Sequence, residues 1–87
     1  LMLADGGKLN LTLNQGRYEI EVVGKAGPDH GVTLKWIGGK GCHDQGERQR
    51  IVSKCNIENT GSVIIRNPTL LGMGATAEGF VNIYKVP

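Results

Sequence analysis

Aromatic side chains are scarce in this sequence: one Trp, two Tyr and one Phe. A single-strand nucleic-acid binder stacks bases on exposed rings along a positive groove. The four rings here, Tyr18, Trp36, Phe80 and Tyr84, all lie in strand-like runs, where core packing is their default role. Charge of one sign is also missing. Ten Lys and Arg stand against eight Asp and Glu, for a formal charge of +2, with the two signs interspersed. A nucleic-acid surface gathers its cations into a stripe, so no nucleic acid is expected as a partner. No apolar run approaches the roughly 20 residues of a membrane helix, so no membrane insertion is expected. The opening LMLADGGK lacks the basic region and the length of a signal peptide. Residues 1–7 read as a linker or as a start left by processing.

Motifs of catalysis are absent as well. The available nucleophiles, Ser53, Ser62, Cys42 and Cys55, sit in no recognisable motif. There is no G-x-x-x-x-G-K-[ST] phosphate loop and no H-E-x-x-H pair. Asp29-His30 suggests acid–base chemistry, but both residues are ordinary turn formers. No enzyme activity and no cofactor are expected. Zinc is a weaker alternative for the cysteines. The ligand set would be His30, Cys42, His43 and Cys55, without the C-x-x-C spacing that zinc sites use. Cys42 and His43 are adjacent, and neighbours on an extended chain point to opposite faces. No metal is expected.

Glycine is abundant, at 14 residues in a chain of 87. That excludes a helical bundle, whose interior glycines each cost about 1 kcal/mol, and suits a turn-rich β protein of one domain. Apolar residues alternate with polar ones along much of the chain, the period of a strand with one buried face. Leu9, Leu11 and Leu13 show it first. After a turn at Asn14-Gln15-Gly16, Tyr18, Ile20 and Val22 continue it, so Lys8–Gly24 reads as a hairpin or as two neighbouring strands. Gly24–Gly31 is a loop with Asp29 and His30 at its tip. Val32, Leu34 and Trp36 share the next inner face, and this phase favours Trp36 as a core anchor over a sugar-stacking platform. A strand over Arg48–Ile57 follows, then a turn at Glu58–Gly61, a strand over Ser62–Asn67 ended by Pro68, and a final strand over Phe80–Val86. The apolar glycine-rich run Thr69–Gly79 either folds over one end of the protein or meets another subunit; Leu70, Leu71 and Met73 are its expected oligomer contacts. These signals predict an all-β fold, a small antiparallel, jelly-roll-like β-sandwich of about six or seven short strands without significant helix.

Cys42 and Cys55 close a short loop in the stretch Gly38–Cys55. A disulfide there would stabilise the fold by about 3 kcal/mol in the chain-entropy view. Two unpaired thiols are the competing reading. A disulfide implies an oxidising compartment: extracellular, periplasmic or a virion surface.

Around Gly16–Gly31, the run NQGRYEIEVVGKAGPDHG resembles a pattern in the receptor-binding tips of phage tail fibres and related bacterial surface adhesins. There a G-x-Y-x-(apolar)-x-(apolar)-x-G strand precedes a glycine loop. The closing run EGFVNIYKV, Glu78–Val86, is similar to the last strand of small jelly-roll lectin and carbohydrate-binding modules. The resemblance implies a sandwich that recognises a cell-surface glycan or protein receptor, often as a homo-oligomer. No binding residue carries over from it, and the acidic clusters that hold calcium in such lectins are missing here.

Two functions follow as expectations. The first is a recognition module whose loops bind the ligand through Asp29, His30, Lys40, His43, Asp44, Gln45, Glu47 and Arg48. Their carboxylate, amide and guanidinium groups match what saccharide hydroxyls require, and loops on a rigid scaffold are where binding residues gather. The second is a structural subunit of a capsid, fibre or pilus, with no small ligand of its own.

Overall fold

The computed structural model covers Leu1–Pro87 and contains seven strands and no helix. They are β1 (Met2–Leu3), β2 (Lys8–Leu13), β3 (Gly16–Lys25), β4 (Val32–Lys40), β5 (Gln45–Arg48), β6 (Arg50–Arg66) and β7 (Ala77–Val86). All pairings are antiparallel, in the order β1-β7-β3-β6-β4-β5, with β2 also on β6.

β6 organises the rest. Its first half pairs with β3, from Arg50 opposite Val23 to Ile57 opposite Gly16. Its second half pairs with β2, from Gly61 opposite Leu13 to Arg66 opposite Lys8. β2 and β3 therefore run end to end along one edge of β6. They do not form the hairpin that Asn14-Gln15-Gly16 suggests. On the other edge, β4 pairs with the second half of β6 and reaches back to Asn56 through Lys40.

The two ends of β6 meet at one end of the molecule. Arg48 pairs with Val32, Thr33 pairs with Arg66, and only Gln49 separates Arg48 from Arg50. A straight strand of 17 residues would reach about 56 Å, yet the molecule's longest dimension is 40 Å. β6 is thus bent, and its halves belong to two layers. One layer is β1-β7-β3-β6 and the other is β2-β6-β4-β5, a small antiparallel β-sandwich.

The alternation read from the sequence decides what lies between the layers. Tyr18, Ile20 and Val22 of β3, Val32, Leu34 and Trp36 of β4, and Ile51, Cys55, Ile57, Val63 and Ile65 of β6 are buried in one cluster. Each fully buried Val, Leu or Ile contributes about 1.5–3 kcal/mol. The buried polar groups are paired. Tyr18 Oη donates to the Asn14 carbonyl at 2.9 Å, and Trp36 Nε1 donates to Ser53 Oγ at 2.9 Å.

Several expectations need correction. Glu58–Gly61 is not a turn between strands but the bend within β6. Gly61 is buried there, where an added Cβ would press on the Ile37 carbonyl and the Ile57 side chain, so a bulkier residue would force the two strands apart. The polar stretch Gln45–Arg48 is a strand, not only a loop. β7 begins at Ala77, three residues before the expected start at Phe80. Phe80 and Tyr84 are not core residues; they are 46% and 56% exposed. β7 lies near the sheet edge, and no layer covers its outer face. Residues 1–7 pack on the fold: Leu3 is buried, and Gly6 N donates to the Asn67 carbonyl while Asn67 N donates to Gly7 O, both at 2.9 Å.

The Thr69–Gly79 run reaches the core only through Ala77, at the start of β7. Leu70 N and Gly72 N donate to the two carboxylate oxygens of Asp5 at 2.9 and 2.8 Å, and Met73 N donates to Leu70 O at 3.0 Å. The resulting turn holds Leu71 and Met73 outward, 91% and 87% exposed.

Candidate binding site

The eight sequence-chosen residues do not converge on one site. Asp29, His30, Glu47 and Arg48 gather at one end. His30 Nδ1 meets Glu47 Oε2 at 3.2 Å, and Arg48 pairs with Val32. Gln49 ties this end together, its side-chain amide donating to Pro28 O and His30 O at 3.2 Å each. The His30–Glu47 pair is exposed and has no serine or cysteine hydrogen-bonded to it. Lys40 lies at the other end of β4, about 25 Å away for an extended strand.

The remaining three residues serve the fold. Asp44 Oδ1 accepts the Trp36 backbone N–H at 2.8 Å. β5 begins at Gln45, opposite Leu34, so on that edge β4 has no strand partner beyond Leu34, and Asp44 supplies the acceptor there. His43 contributes its carbonyl, which accepts from Ser53 Oγ at 3.3 Å. Gln45 contributes its place in the β4–β5 ladder.

Cys42 and Cys55 form a disulfide, with an S–S distance of 2.02 Å and a Cα–Cα distance of 4.5 Å. It links the end of β4 to β6. Gly39 passes so close that a Cβ there would collide with both sulfurs. The preceding Gly38 has φ of 84° at the point where the β4–β6 register shifts, a backbone region that L side chains rarely adopt. The Gly38-Gly39 pair thus lets β4 bend past the disulfide. Both thiols are consumed, so the zinc set of His30, Cys42, His43 and Cys55 does not exist. No cluster of three or more His, Cys, Asp or Glu side chains is placed to hold a metal ion.

The largest cleft, about 380 Å³, lies on the outer face of the strands near this disulfide. The register explains its composition. Val86 opposes Arg17, Arg17 opposes Asn56, and Asn56 opposes Lys40, so one rung crosses β7, β3, β6 and β4. The next rung carries Tyr84, Glu19 and Lys54. Arg17, Lys40 and Lys54 thus surround the cleft with one acid, Glu19, among them. Lys54 makes no ion pair. Lys40 Nζ lies 3.1 Å from Glu58, and Arg17 donates to the Pro87 carbonyl at 2.7 Å. Of these residues only Lys40 is among the sequence candidates. Arg17, Glu19, Lys54 and Asn56 had no local signal beyond being the polar half of an alternating strand.

The cleft can take an anionic group against its three cations, with Asn56 offering amide hydrogen bonds and Val86 an apolar wall. Its volume falls at the lower end of the range of small-molecule sites. In comparison with protein-family models, curated proteins and solved structures, the chain matches none of them.

Proposed function

We propose that this protein is a ligand-recognition module that binds a cell-surface saccharide, or a receptor, through an acidic group seated in the Arg17–Lys40–Lys54 cleft. The observation that carries this reading is the pair of neighbouring rungs that brings cations from three strands to one cleft. Arginine offers a planar fork to a carboxylate or sulfate, and lysine a mobile point charge. Hydroxyls of the same saccharide find Asn56 and Glu19. The site is on the strand face, not in the loops at the ends of the sandwich. The cleft serves binding: its cations and the Asn56 amide offer charge and hydrogen bonds to an acidic ligand. The disulfide is compatible with an oxidising compartment, and an extracellular, periplasmic or virion-surface location fits a module that meets cell surfaces.

A structural role in a fibre or capsid is the second reading. The outward Leu71 and Met73 favour it, since exposed apolar side chains in a cluster mark contact surfaces.

A saccharide array run with non-reduced protein separates the two. Binding to uronic-acid, sialylated or sulfated saccharides, and not to neutral ones, is expected. Lys54→Glu and Arg17→Ala should weaken it about tenfold or more, while Asp29→Ala and His30→Ala leave it unchanged. Absence of any saccharide binding by folded protein, or binding lost only with Asp29 and His30, would overturn the reading.

A further inference from the structure

The outer face formed by β2, the second half of β6 and β4 carries three cations and no acid. β2 turns Lys8 and Asn10 outward, β4 turns Thr33 and Lys35 outward, and β6 turns Ile64 and Arg66 outward. The register lays them in two rungs, Lys8–Arg66–Thr33 and Asn10–Ile64–Lys35. No Asp or Glu occurs in β2, in β4 or in the Gly61–Arg66 half of β6. Lys8, Lys35 and Arg66 are exposed and make no ion pair.

For the chain alone this arrangement is unfavourable. Residues directly opposite in an antiparallel pair hold their Cβ atoms about 4.5–5.5 Å apart, and like charges there repel. Lys8 and Arg66 are such a pair. Lys35 stands diagonally from Arg66 across the β4–β6 ladder, at about 7–8 Å. Elsewhere the protein sets acids beside its strand cations. Arg50 meets Glu21 at 2.9 Å, Lys40 meets Glu58 at 3.1 Å, and Glu19 opposes Lys54. A hollow of about 250 Å³ lies among Thr33, Lys35, Ile64 and Arg66. It is smaller than the sites that hold whole small molecules, and its size suits one charged group.

We infer that this hollow is a second anion site, which takes the tetrahedral oxyanion of a phosphate or sulfate monoester. The Arg66 guanidinium presents a planar fork to two oxygens. Lys35 supplies a point charge from the diagonal position, the Thr33 hydroxyl a neutral donor, and Lys8 flanks Arg66 on its other side. Ile64 gives the ester an apolar contact. Donors on several sides suit a group with three terminal oxygens, where a carboxylate offers only two. A nucleic-acid phosphodiester also offers two, and no aromatic ring stands on this face to stack a base, since Trp36 of β4 is buried. The site shares no residue with the Arg17–Lys40–Lys54 cleft and stands whatever that cleft binds.

The test is an amide-shift titration by two-dimensional NMR of the folded, non-reduced protein with glucose 6-phosphate, glucose 6-sulfate and acetate. Both esters should move the amides of Thr33, Lys35, Ile64 and Arg66 and saturate with dissociation constants of about a millimolar. Added sodium chloride should weaken them, and acetate should bind at least about tenfold more weakly. The ester that binds more tightly names the source of the group. Lys35→Gln with Arg66→Gln should weaken both esters at least about tenfold. Lys8→Glu should weaken them too and, by setting an acid opposite Arg66, raise the urea midpoint of the ligand-free protein, which separates lost binding from lost folding. The titrations are repeated on Lys54→Glu to remove competition from the cleft, and the Arg66 shift should persist. No shift at these four amides, shifts confined to the cleft, or acetate binding as well as the esters would overturn the proposal. So would a short oligonucleotide binding more tightly than either ester, or unchanged affinity in the Lys35–Arg66 double variant.

Discussion

Trp36 and Ser53 face each other across the sandwich, and the indole N–H donates to the serine hydroxyl at 2.9 Å with both residues buried. Trp36 sits on the half of the sheet that pairs with Val63, and Ser53 on the half that pairs with Ile20. The bond therefore spans the two layers. The same hydroxyl donates to the His43 carbonyl at 3.3 Å, so one serine ties together β4, β6 and the loop before β5.

Ser53→Ala leaves the Trp36 N–H buried and unpaired. A loss of about 1–3 kcal/mol is expected. Urea unfolding followed by the fluorescence of Trp36, the single tryptophan, measures it directly. A change below a few tenths of a kcal/mol would mean that the indole finds another acceptor.

Reduction of Cys42–Cys55 is expected to cost about 3 kcal/mol, because the released loop regains freedom in the unfolded chain. The separation of 13 residues along the chain sets that scale. Unfolding midpoints with and without reductant test it, and the C42A/C55A variant should match the reduced protein. In that cysteine-free background Gly39→Ala should be far less damaging than in the oxidised protein, since the sulfurs are what its Cβ would strike.

Leu71 has φ of 56°, in the left-handed region, while its side chain is 91% exposed. A non-glycine residue there costs roughly 1–2 kcal/mol, and no buried contact offsets it. Leu71→Asn should raise the thermal midpoint, by about 1 kcal/mol in stability terms, because Asn tolerates this conformation. Asp5→Ala should act in the opposite direction, freeing Leu70 N and Gly72 N. Calorimetry of the two variants checks both signs.

Asp44 is a fold residue, so Asp44→Ala should cost about 1–2 kcal/mol by leaving the Trp36 amide without its acceptor. Asp44→Asn keeps an acceptor oxygen and should recover most of that. Denaturation curves for both variants decide it. Equal losses in the two would show that charge, not the hydrogen bond, is what matters there.

Much of the fold was legible because a strand's period is short and local. Tyr18, Ile20 and Val22, then Val32, Leu34 and Trp36, are buried in the phase their spacing predicts. The disulfide pairing was legible because only two cysteines exist. β7 misled for a physical reason. Its two faces carry Phe80, Tyr84 and Val86 on one side and Val81 and Ile83 on the other, both apolar, so alternation cannot say which face is covered. The bend of β6 was hidden in the same way. Glu58–Gly61 has turn chemistry, and long-range pairing, with β2 and β3 along one edge and β4 along the other, keeps the strand continuous through it.

The sequence by itself determined the strand periods, the inward side chains of the central strands and the single possible cysteine pair, because each depends on residues close in the chain or on simple counting. Tertiary structure alone decided the rung that joins Val86, Arg17, Asn56 and Lys40, and with it the cationic cleft. Those residues come from four strands whose register is set by long-range pairing, and no local pattern encodes which polar residue will stand beside which.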